Sequence, residues 1–84
     1  MADQRNNLTA EEIAAAFANG PFAGLGPLIT PQQLSHILGV GRSTIYEWIA
    51  KGRLDGALRK RGKHVFIWRD RAIERIFNGR EWRD

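Results

Sequence analysis

Apolar residues recur at helical spacing in four separate stretches of this chain. Ile13, Ala14, Ala16 and Phe17 follow Thr9-Ala10-Glu11-Glu12, where Thr9 supplies an N-cap oxygen and Glu12 reaches back to close a capping box, so a helix is predicted over 10–18. Asn19-Gly20-Pro21 stops it. The stretch on to Pro27 carries three glycines and two prolines, too many breakers for a helix, and reads as a linker with a boundary near Leu28. Leu34, Ile37 and Leu38 form the second stripe, entered through Thr30-Pro31-Gln32-Gln33. Thr30 caps, Gln33 answers it three residues later, and Pro31 sits at the first helical position, where its missing N–H costs nothing; the predicted helix covers 31–38. The segments Leu8 to Ile13 and Ile29 to Leu34 are alike at an offset of 21 residues, but nothing downstream repeats, so they read as two similar helix starts.

Ile45, Trp48 and Ile49 resume the stripe after only Gly39-Val40-Gly41, and Gly52 follows as a C′ glycine, which predicts a third helix over 42–51. Two short helices joined by a glycine-bearing three-residue turn make a helix-turn-helix, with Val40 plugging the angle between them. Thr44-Ile45-Tyr46-Glu47 spells a further capping box, so a start one turn later, with Thr44 and Glu47 used internally, is the alternative. Segments 57–60 and 65–68 flank Arg61-Gly62-Lys63 and predict a two-stranded hairpin, a wing. Asp70 then caps a last helix over 71–77, with Ile73, Ile76 and Phe77 facing inward and Asn78-Gly79 closing it. Trp48 and Trp68 lie on apolar phases and read as core, while Tyr46 is either a core-edge aromatic or a surface one. The first seven residues lack periodicity and read as a frayed tail. The fold class that results is mainly α with a small β-hairpin: a winged helix-turn-helix over 28–79, preceded by an extra N-terminal helix and linker within 1–27 and followed by a tail at 80–84.

Composition narrows what such a fold can do. With 84 residues there is room for one domain, and folding at this size hides only roughly 60% of the unfolded surface, so a deep substrate cavity is not expected. The absence of cysteine removes disulfides and cysteine-ligated zinc and fits a reducing compartment. No apolar run reaches membrane-spanning length and the start is polar, so the expectation is a soluble, cytoplasmic chain with no membrane partner. Charge is divided unevenly: residues 1–41 hold one base against three acids, whereas 42–84 hold twelve Lys and Arg against six acids. Arg59, Lys60, Arg61 and Lys63, with His64 adjacent, crowd four positive charges into five residues at the hairpin tip, where an anion such as a phosphate backbone relieves their repulsion. If Ile45, Trp48 and Ile49 are buried, Arg42, Ser43, Thr44, Tyr46 and Glu47 lie on the opposite face or near the helix start. Arg reads guanine, Glu accepts from cytosine, and Ser and Thr bond to bases or phosphates. Catalysis finds no support. His36 and His64 stand alone, and Asp70 and Glu74 alternate with Arg69, Arg71 and Arg75 as ion-pair partners, so no enzyme, metal or cofactor is expected.

From Leu28 to about Gly79 the chain resembles the excisionase-like, MerR-related winged helix-turn-helix DNA-binding family. The resemblance is carried by Leu28-Ile29-Thr30-Pro31-Gln32-Gln33-Leu34, by Gly39-Val40-Gly41-Arg42-Ser43-Thr44-Ile45-Tyr46-Glu47-Trp48-Ile49, and by Gly52-Arg53-Leu54. It implies a small bacterial, phage or mobile-element protein at the nucleoid, with the second helix of the motif in the major groove of double-stranded DNA and the wing on the adjacent minor groove. Carried over by position, the implied contacts are Arg42, Ser43, Thr44, Tyr46 and Glu47 on the helix, and Arg59, Lys60, Arg61 and Lys63 on the wing, with His64 beside them. Gly41 stands where the family usually has a serine, so the cap position of the third helix lacks a side-chain oxygen. Members act as recombination directionality factors or as transcription regulators. Regulators of the MerR type usually carry a long dimerising helix after the winged module, whereas about seven residues follow the last predicted helix here, which favours an excisionase that bends DNA to direct a partner integrase. A small transcription regulator on the same surface is the alternative, and a protein-interaction adaptor that keeps only the fold is the second. Ile13 and Phe17 of the N-terminal helix either pack on their own domain or on a neighbouring copy, giving self-association on DNA.

Overall fold

The computed structural model describes residues 7–79. Both capping boxes close. Thr9 Oγ1 accepts from the Glu12 N–H at 3.1 Å while Glu12 Oε1 accepts from the Thr9 N–H at 2.9 Å, starting α1 (Ala10–Ala18). Thr30 and Gln33 repeat the exchange at 3.1 and 2.9 Å to start α2 (Pro31–Leu38). Gly39 ends α2 at φ +71°, a left-handed conformation that a Cβ would strain, and its N–H and that of Val40 both donate to Ser35 O. That sharp reversal lets α3 (Arg42–Ala50) begin three residues later. The start at Thr44 is not taken: the Thr44 N–H donates to Gly41 O at 3.1 Å, and Gly41 serves as an N-cap without a side chain. α3 closes through N–H bonds from Gly52 to Ile49 O and from Arg53 to Trp48 O, a Schellman-type end.

The hairpin comprises β2 (Leu58–Arg61) and β3 (His64–Trp68), so the turn is Gly62-Lys63 alone and Arg61 belongs to the strand. Gly62 has φ +61° and no non-glycine residue among those described has a positive φ, the requirement of a type II′ turn, whose twist matches its strands. A third strand, β1 (Leu28–Ile29), lies beyond what the sequence pattern predicts. It pairs antiparallel with β3 through Leu28↔Trp68 and Ile29↔Ile67, placing β3 at the centre of a sheet ordered β1-β3-β2. Two residues cannot display a period, which is why the pattern hid it.

β3 runs directly into α4 (Arg69–Asn78), which therefore starts two residues before the expected position. Asp70 is not the N-cap: Trp68 occupies that position without a side-chain bond, and Asp70 lies in the first turn, accepting from Arg69 Nε at 2.8 Å. There its charge still favours the positive helix end. Trp68 and Phe77, both expected inside, are 50% and 56% exposed. β3 turns Ile67 to the core, so its neighbour Trp68 must face away, and α4 buries Ala72 and Ile73 with Ile76 half-buried behind them. Phe77 instead borders an open hollow between α1 and α4.

Leu34, Ile45, Leu54 and Ile67, from α2, α3, the following loop and β3, are fully buried and form the centre of one core. α1 shares it, burying Ile13 and Phe17 and packing on α4. The Asn78 side-chain amide clamps the Leu8 peptide, accepting from its N–H and donating to its carbonyl, both at 2.8 Å. Arg69 ties the remaining segments together. Its guanidinium lies 4.1 Å from the Phe17 ring centroid and donates to Leu25 O at 2.9 Å and Gly26 O at 3.2 Å, so one side chain joins α1, the linker and α4. No helix among the described residues is long and apolar enough to cross a membrane.

Candidate nucleic-acid interface

α3 divides by face. Ile45 and Ile49 are buried and Trp48 half-buried, which turns Arg42, Ser43, Tyr46 and Glu47 into solvent and leaves Thr44 half-buried at the edge. Tyr46 is thus a surface aromatic. These side chains recur at three- and four-residue steps and make one stripe. No acid lies in the first turn of α3 and no side chain caps it, so its partial positive charge faces outward with Arg42 beside it. Glu47 lies 3.9 Å from Lys51, both more than half exposed. An exposed pair of this kind contributes about 0.3–0.5 kcal/mol and leaves the carboxylate free to accept from a partner.

On the wing, Arg59, Lys60, Arg61, Lys63 and His64 are all exposed. The pleat separates them. Arg59↔Phe66 and Arg61↔His64 are cross-strand pairs on the sheet's outer face, while Leu58↔Ile67 and Lys60↔Val65 are pairs on the face that carries the core. Lys63 sits at the turn. Arg59 and Arg61 each donate to the preceding carbonyl, Leu58 O at 3.0 Å and Lys60 O at 2.9 Å, so both guanidinium groups hug the hairpin edge. His64 stacks obliquely on Phe66, ring centroids 6.1 Å apart. The stripe on α3 and the wing are connected through α2, which packs on both α3 and β3.

Sequence reasoning missed the outer face of the sheet itself. There Leu28, Phe66 and Trp68 are exposed side by side, with Arg71 of α4 at their margin. Phe66-Ile67-Trp68 is apolar at every position, so no alternation distinguishes inside from outside, and without β1 there was no neighbour for Trp68. Among the described residues, no three His, Asp or Glu side chains gather as a metal site.

A family model described as a helix-turn-helix domain matches residues 28–80. None of the curated proteins and none of the solved structures gives a significant match.

Proposed function

The chain belongs to the helix-turn-helix domain family, and from that premise we propose that it is a sequence-specific double-stranded DNA-binding protein whose winged unit, residues 28–79, makes the contacts. α3 enters the major groove. Arg42 pairs with a guanine edge, Glu47 accepts from a cytosine amino group, and Ser43, Thr44 and Tyr46 bond to bases or phosphates nearby. The wing residues Arg59, Lys60, Arg61, Lys63 and His64 lie along the adjacent minor groove and its phosphates, replacing condensed counterions. The observation that carries this reading is the split of α3: a buried Ile45 and Ile49 on one side and, on the other, an uncapped helix start with an unbroken exposed polar stripe.

Within that reading the role is that of an excisionase, a recombination directionality factor that binds and bends DNA so that a partner integrase is directed toward excision. What supports it is the resemblance borne by Gly39 to Ile49 and by Gly52-Arg53-Leu54, together with a surface suited to shaping DNA rather than breaking it. The test is footprinting on the DNA around the chain's own gene, at ~0.15 M salt and against a charge-matched peptide. A protected, bent site beside integrase sites is expected. Protection no better than the peptide's ends the DNA-binding reading, and a protected site confined to a promoter replaces the excisionase with a transcription regulator.

A further inference from the structure

Three exposed features extend beyond the proposed duplex contacts: the hollow bordered by Phe77, the acidic start of α1, and the outer face of the sheet, which adjoins the wing and shares Arg59 and Arg61 with it. The first is lined by a single charged residue, Glu12, and there as in the acidic start of α1 that carboxylate is already engaged with the Thr9 N–H. The third is different. Leu28, Phe66 and Trp68, contributed by β1 and β3, are 51%, 44% and 50% exposed, and they line an open hollow of about 470 Å³ together with Arg59, Arg61 and Arg71. That volume falls within the roughly 300–1,000 Å³ of clefts that seat a ligand. Every charged residue lining it is an arginine.

We propose that this face is a docking site for a segment of a second protein that carries acidic residues around one or two large apolar side chains. Charge complementarity selects the occupant. An isologous pair of this chain would bring the arginine rims of two copies together, and like charges facing one another across an interface are costly. Duplex phosphates match the rim but gain nothing from an aliphatic and aromatic floor. Single-stranded nucleic acid needs a succession of stacking rings along a groove, whereas part of this floor is Leu28, which has no π face. An acidic, apolar segment uses both parts: its large side chains displace water from Leu28, Phe66 and Trp68, and its carboxylates meet guanidinium forks in bidentate geometry. The floor is suited to such an anchor, because Phe66 is paired with Arg59 of β2 and Trp68 with Leu28 of β1, and the Trp68 N–H also donates to Ala57 O at 2.7 Å. Arg71 is held over the margin by its bond to Gly56 O at 3.1 Å. A protein that engages DNA through α3 and its wing would thereby carry an adjoining surface, centred on Leu28, Phe66, Trp68 and Arg71 and bordered by the wing's Arg59 and Arg61, for whatever acts on that DNA with it.

The test uses the whole ¹⁵N-labelled chain and a synthetic twelve-residue peptide alternating glutamate with leucine and phenylalanine, a lysine-for-glutamate counterpart, and an oligothymidylate of the same length. Saturable shifts are expected for the Trp68 indole N–H and the Phe66 and Arg71 amides with the acidic peptide and not with the basic one. R71E should weaken that binding about tenfold and W68A more, with each variant's thermal melt and duplex affinity checked in parallel. R71E gives up one exposed hydrogen bond to Gly56 O but buries no charge and places an acid in the first turn of a helix, where it is favoured, so the experiment does not depend on W68A alone. The proposal is overturned if the acidic peptide gives no saturable shift, if oligothymidylate moves the same resonances at lower concentration, if the shifts follow protein concentration alone, or if R71E loses duplex affinity in proportion.

Discussion

Two arginines illustrate how differently one residue type serves this chain. Arg69 is largely shielded, with 12% of its side chain exposed, and it spends its donors on Asp70, Leu25 and Gly26 while covering the Phe17 ring. Arg42 is exposed at the start of α3, with no bond drawing it back onto the protein among those formed by the described residues. Arg69→Met should therefore lower stability by about 2 kcal/mol through lost charged hydrogen bonds and the cation–π contact, while leaving duplex affinity per folded molecule unchanged; chemical denaturation and binding measured on one preparation check both halves. Arg42→Ala should do the reverse, lowering specific affinity by about 1–3 kcal/mol with an unchanged melting temperature, and relaxing preference at one base pair in a randomised-site selection. A uniform loss across all sequences would make Arg42 a phosphate contact. The sequence distinguished Arg42 by its helical phase. It could not distinguish Arg69, because its partners are linker carbonyls some 44 and 43 positions away and an aromatic ring from α1, none of them visible in local pattern.

At the scale of elements, what could be read depended on whether the signal was local. The two capping boxes and Pro31 located α1 and α2 to the residue, since cap, breaker and first-turn chemistry all lie within a few positions of the helix end. α4 was misplaced by two residues at its start because β3 feeds it without a loop, so that Asp70, a good cap by composition, falls inside the helix. β1 escaped altogether, and with it the outward orientation of Trp68. The hairpin was legible through its turn. A Cβ at Gly62 would meet nothing within 4 Å, so Gly62→Ala tests the backbone alone: the left-handed conformation at φ +61° should cost roughly 1–2 kcal/mol and raise amide exchange in β2 and β3 before it does in α2 and α3. Uniform exchange throughout would show that the wing is not a separately opening unit.

For the molecule as a whole, the decisive fact is that α1 shares the core with the helix-turn-helix. Sequence periodicity showed that Ile13 and Phe17 needed burial but not where, since a helix's apolar stripe does not name its partner; the clamp from Asn78 to Leu8, 70 residues apart, is a contact that only the fold supplies. Phe17→Ala should accordingly cost about 3–5 kcal/mol and lower a single cooperative transition for helices and sheet together, monitored by circular dichroism and tryptophan fluorescence. Two separate transitions would detach α1 from the rest. The charge asymmetry, legible in the sequence, acquires direction only through the pleat, which sends Arg59 and Arg61 to one face and Lys60 to the other. The central claim is that the stripe on α3 and the tip of the wing grip one duplex at once. It is tested most directly by titrating the ¹⁵N-labelled chain with its footprinted DNA and following the amides of Arg42 to Glu47 and of Arg61 to His64 in the same spectra. Both groups should shift with a single dissociation constant and share one salt dependence; two constants, or movement in only one group, would contradict the account.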